Sequence, residues 1–164
     1  MNKYILLEDD DCMRDHTADL LTDELRKART LVDIDYKVKE FRRIDQAKEF
    51  FNAHKDEIEC IVTDLNMPDE WLGEYRHESF GCMLSGWVWL NRFVLPVRPN
   101  MPIVIYSGFI DELKTKIPPK QLLSLNKANI ECVSKGSDLG EGFNGLVKAI
   151  EKVIRKRATY NEEG

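Results

Sequence analysis

The chain has 164 residues, enough for one domain that buries roughly two thirds of the surface its unfolded form would expose. With 43% hydrophobic and 32% charged residues it has the make-up of an ordinary globular protein and not of a disordered or fibrous one. A formal net charge of -5 argues against nucleic acid as a main partner, because binding its phosphate backbone needs clustered Lys and Arg.

The opening MNKYILLEDDD runs from a short apolar stretch straight into acids, so it reads as neither a signal peptide nor a membrane span. A cytoplasmic location without membrane insertion is expected. YILLED (4–9) has strand length, and the acids after it suit the N-terminus of a helix. Met13, Thr17, Leu20, Leu21, Leu25 and Ala28 then recur at helical spacing over about 11–29. YKVKEF (36–41) alternates as a strand, and DQAKEFFNAHK (45–55) returns to helical spacing through Ala47, Phe50 and Phe51. IECIVTD (58–64) is a β-branched run that ends on Asp64 and is stopped by Asn66, Met67 and Pro68.

After a polar and aromatic interval, LSGWVWLNRFVL (84–95) predicts a helix that ends before Pro96. MPIVIYSG (101–108) is continuously apolar, as a strand buried on both faces should be. The segment 110–128 is helical in pattern but interrupted by Pro118 and Pro119, which predicts two short helices or a break. NIECVSKG (129–136) gives a last strand, and 142–157 a final amphipathic helix with Leu146, Ile150, Val153 and Ile154 on one side. Strands alternating with helices, several of them apolar throughout, predict a doubly wound α/β domain with a five-stranded parallel sheet covered on both faces. Cys12, Cys60, Cys82 and Cys132 form no C-x-x-C pair and read as reduced, buried thiols and not as zinc ligands or disulfides, with only Cys82 in a loop.

In such a fold the working site lies beyond the carboxyl ends of the strands. The first strand ends in Glu8 and Asp9, the third in Asp64, the fourth in Ser107 and the fifth in Lys135. Three carboxylates held together repel unless a cation sits among them, and a hard divalent ion such as Mg²⁺ suits an oxygen-rich set. With Lys135 and Ser107 added, the edge would stabilise a phosphoryl group on Asp64, since phosphoryl transfer is largely positioning and charge neutralisation. Each of these residues alone has a plainer reading: Asp64 as a loop-capping acid, Lys135 as a surface lysine, Ser107 as a turn serine.

ILLEDD, TDLNMP, IVIYSG and CVSKG, in this order, resemble the receiver domain of two-component response regulators over nearly the whole chain. The resemblance implies a flavodoxin-like sheet of order 2-1-3-4-5, with a receiver domain over 1–158 and a short tail over 159–164. It implies that Asp64 is the phosphoacceptor, served by a histidine kinase or histidine phosphotransfer protein in a Mg²⁺-dependent reaction. Glu8, Asp9, Asp64 and the backbone carbonyl of Asn66 would form the metal site, while Ser107 and Lys135 would bind the phosphoryl group and act in switching. Asn66 and Phe109 would tune dephosphorylation, the Phe109 ring slowing attack by water. Gly86 matches the family's glycine after this loop. The output would pass by conformational change to a downstream protein, with only self-phosphorylation and self-dephosphorylation as chemistry.

Three departures stand out. An insertion at about 70–84 separates the third strand from its helix, and its Trp71, Tyr75 and Phe80 are read either as a partner-facing loop or as rings folded onto their own domain. Cys132 stands where the family commonly has a switch aromatic, and Gly136 where it often has proline. The competing readings are a pseudo-receiver that binds without using phosphate, and a Mg²⁺-dependent phosphohydrolase. Against the hydrolase, Asn66 stands two residues after Asp64, where such enzymes want a second acid.

Overall fold

The structure is a computed structural model of the full chain, described here for residues 3–8, 21–24, 36–135 and 139–163. Five parallel strands, β1 (Lys3–Glu8), β2 (Tyr36–Phe41), β3 (Ile58–Thr63), β4 (Ile103–Ser107) and β5 (Ile130–Ser134), form one sheet in the order β2-β1-β3-β4-β5. This is the doubly wound topology that the sequence predicts. Strand side chains alternate between two cores: Tyr4, Leu6, Ile103 and Ile105 face one, and Ile5, Leu7, Val62 and Val104 the other. The β1–β3 register slips by one residue between Tyr4 and Ile5, which skips Glu59. The Glu59 carboxylate accepts a hydrogen bond from Arg157 at 3.1 Å.

The first core lies under α2 (Ile44–His54), α3 (Ser85–Trp89), α4 (Ile110–Lys116) and α5 (Pro119–Lys127). In α2, Ile44, Ala47 and Phe51 recur on the buried side, and the Phe51 ring meets Trp89 edge to face. Pro118 and Pro119 divide the last two of these helices as predicted, with Pro119 opening α5, where its missing N–H is no loss. The Trp87 indole N–H donates to Gln121 Oε1 at 2.9 Å and so joins α3 to α5. The second core lies under α6 (Leu139–Glu163), through Leu146, Ile150 and Val153, and under Leu21 of α1, whose described part is 21–24.

Three elements differ from the sequence reading. The helix expected over 84–95 is α for only its first turn and then widens into a π segment, Leu90–Val94, where the Leu95 N–H reaches back to the Leu90 carbonyl at 2.9 Å. The interval after β3 carries a 3₁₀ segment, Glu70–Ser79, kinked at Gly73 where φ is +60°. The backbone of α6 remains helical to Glu163, through most of the stretch expected to be a tail. Periodicity alone marks helix but does not separate α from 3₁₀ or π hydrogen bonding.

Candidate functional site

Because all strands run parallel, the residues that follow them emerge at one edge of the sheet. Asp64 is the first residue after β3 and is 8% exposed. Its Oδ1 accepts the N–H of Leu65 at 2.7 Å and of Asn66 at 3.3 Å, so the turn that ends the strand also fixes the carboxylate. Its Oδ2 accepts from the Lys135 ammonium at 2.7 Å. The Thr63 hydroxyl donates to the Asp64 carbonyl at 2.9 Å and secures the backbone behind it. Gly86 closes the far side: its N–H donates to the Leu65 carbonyl at 3.0 Å, and a Cβ there would overlap the Asp64 carbonyl.

Ser107 ends β4 and is fully buried. Its hydroxyl oxygen accepts the Phe109 N–H at 3.2 Å, and its carbonyl accepts the Lys135 N–H at 3.0 Å. That second bond ties the backbone of Lys135 to the end of β4, and the side chain reaches from there to Asp64. The ammonium also lies 5.3 Å from the centre of the Tyr106 ring. Phe109 is half-buried at the N-cap of α4 and packs against the first core.

Of the residues proposed from the sequence, Asp64 and Lys135 are therefore in contact and Ser107 is tied to Lys135 through the backbone. Glu8 ends β1 with its backbone in register with Thr63, one residue before Asp64. The Glu8 side chain and the whole of Asp9 lie outside the described residues, as does Cys12. Asn66 is exposed. Among the described residues no three His, Cys, Asp or Glu side chains converge as a metal cluster would. The site's described donors are hard oxygens, the class that Mg²⁺ takes.

No protein-family model matches the sequence, and no curated protein does. Among solved structures, a response regulator receiver domain protein from Clostridium thermocellum superimposes with a TM-score of 0.59 at 19% identity, covering 96% of this chain and 98% of that one. The chain has the receiver fold. The lysine decarboxylase LdcF of Francisella novicida matches over 94% of this chain and 18% of its own at 15% identity, but its TM-score of 0.49 is too low to bear on the comparison.

The segment 70–84, expected as an insertion, is seated firmly. Asp69, 4% exposed, accepts from Ser79 Oγ at 2.7 Å and Arg76 Nε at 2.9 Å, and these bonds hold its carboxyl below the usual range. Glu78 receives a two-pronged bond from Arg92, whose guanidinium also lies 4.8 Å over the Tyr75 ring. Tyr75 meets Phe93 edge to face. Arg92 and Phe93 both belong to the π segment, so the widened turn carries the two residues that grip the insertion.

Trp71 stacks under Arg43 at 5.0 Å and Phe80 near Lys116 at 5.7 Å, with 38% and 49% of their surfaces exposed. His77 is exposed, and its Nδ1 lies 2.9 Å from the Glu74 carbonyl. The sequence reading passed over Asp69 and Tyr106. An acid directly after Pro68 and an aromatic directly before Ser107 were the signals available for them.

The thiol of Cys132 is half-buried against the first core, and burial raises its pKa. Cys82 is also half-buried, so of the three described cysteines only Cys60 is buried as the sequence predicts. No helix among the described residues is long and apolar enough to cross a membrane.

Proposed function

We propose that this chain is a response-regulator receiver domain that accepts a phosphoryl group on Asp64 from a histidine kinase or histidine phosphotransfer protein. The observation that carries this reading is the contact of Asp64 Oδ2 with Lys135 Nζ at 2.7 Å, at the edge where Ser107 also ends its strand. In the transfer, an Asp64 carboxylate oxygen bonds to phosphorus as the phosphorus–nitrogen bond of the donor's phosphohistidine breaks, and the imidazole leaves with the electron pair. The backbone N–H groups of Leu65 and Asn66 hold the accepting carboxylate in one orientation. Lys135 supplies positive charge where negative charge gathers, which is the main requirement of phosphoryl transfer. Ser107, buried beside this edge, is the hydroxyl that would meet a phosphoryl oxygen.

Mg²⁺ would be held by Glu8, Asp9, Asp64 and the Asn66 carbonyl. When bound, it supplies further neutralisation of the phosphoryl charge. The receiver fold supports reading the chain as a signalling module, and the response would leave by protein contact as the population of conformers shifts.

The test is incubation with acetyl phosphate and Mg²⁺ followed by intact mass. A gain of one phosphoryl group, lost in Asp64→Asn, supports the reading. No gain in the folded wild-type chain would favour a pseudo-receiver that binds its partner without phosphate, a reading to which Cys132 at the switch position lends weight.

A further inference from the structure

Among the described residues, the Lys135 ammonium meets groups of two different kinds, the Asp64 carboxylate at 2.7 Å and the face of Tyr106 with its centre at 5.3 Å. The second arises from strand register. Tyr106 of β4 pairs with Val133 of β5, and Lys135 lies two residues beyond Val133, so the two side chains are diagonal neighbours within reach of a long chain. The ring is itself held in place. It packs on the second core beside Val133 and Val104, while the residues flanking it, Ile105 and Ser107, are buried.

We propose that Tyr106 is a positioning residue whose ring face holds the Lys135 ammonium in reach of Asp64. A lysine carries its charge on four flexible carbons, and contacts at the ammonium alone leave that stem with many arrangements. An aromatic face attracts the cation without accepting any of its N–H donors in a directed bond, so those donors stay available for oxygen. The same contact can thus persist while Nζ serves the bare carboxylate and while it serves a phosphoryl group. This consequence for transfer rests on the proposed role of Asp64, whereas the positioning itself does not.

The experiment compares wild type, Tyr106→Phe and Tyr106→Leu as full chains. Without any phosphodonor, acylation of Lys135 by an amine-reactive ester is followed by peptide mass spectrometry, with exposed Lys148 as internal standard. Loss of the ring should raise the relative rate for Lys135 by about two- to fivefold, the scale of a cation–π contact, and the Phe variant should match wild type. In a second arm, phosphoryl uptake from acetyl phosphate should slow in Tyr106→Leu and recover in Tyr106→Phe.

Unchanged Lys135 reactivity in a folded Leu variant would overturn the proposal, and so would a Phe variant that behaves like Leu. If Tyr106→Leu does not fold, the wild-type chain decides. The Lys135 ε-methylene protons should then lie upfield of those of Lys148 through ring current, and their coincidence would overturn the proposal. Failure of wild type to take up phosphate would count against the role of Asp64 and leave the reactivity arm to judge Tyr106.

Discussion

Gly86 lies with its backbone against the carbonyl of Asp64, and no side chain fits between them. Putting a methyl group there forces either the end of β3 or the start of α3 to move. We expect Gly86→Ala to lower stability by about 1–3 kcal/mol, the range for overpacking a close contact. Urea denaturation measures it, and a variant as stable as wild type would mean that the two backbones separate freely.

The pair Asp64–Lys135 is largely enclosed, with side chains 9% and 22% exposed. A contact of this kind falls between surface pairs and buried ones, so a double-mutant cycle with Asp64→Asn and Lys135→Met should give a coupling of about 1–3 kcal/mol. Strict additivity of the two substitutions would show that the ion pair contributes nothing to the fold.

Asp69 anchors the insertion as an ionised acid. Bonds from Ser79, then Cys82 and Arg76, outweigh its burial and keep its pKa below that of a free carboxyl. The unfolded chain therefore binds the proton more readily, and the stabilisation is fully present above the ordinary carboxylate range, near 4. It disappears as pH falls through the lower folded value. Wild type should exceed Asp69→Asn in stability at neutral pH, with the gap closing under acid conditions. A gap that is constant from neutral pH to about pH 3 would exclude this ionised anchor.

Phe109 sets its N–H on the Ser107 hydroxyl and its ring on the first core, two residues beyond the end of β4. Its apolar bulk should slow the approach of water to a phosphorylated Asp64. Phe109→Glu is expected to shorten the phosphoryl lifetime several-fold, as followed by the decay of the phosphorylated mass after removal of the donor. Equal decay rates would assign the ring to packing alone.

Much of the fold was legible because it follows from short-range pattern. Ile58 to Thr63 and Ile103 to Ser107 are apolar runs of strand length, and Ile44, Ala47 and Phe51 carry one helical face. Pro118 and Pro119 cut the fourth and fifth helices apart for a reason visible in two residues. The meeting of Asp64 with Lys135, beside Ser107, was legible from residue types at strand ends, since parallel strands deliver their last residues to one edge. The insertion was not: nothing in the order of Asp69, Arg76 and Ser79 indicates that a 3₁₀ segment joins them around one carboxylate.

The sequence by itself determined which segments are strands and helices, where prolines stop them, and which chemical groups end each strand. These depend on side-chain periodicity and backbone geometry within a few residues. Only the tertiary structure decided that Lys135 reaches across 71 positions to Asp64, that Tyr106 stands behind it, and that Gly86 must lack a side chain. Such contacts depend on how close-packed layers and strand register bring distant chain segments within a few ångströms, a distance that local pattern does not encode.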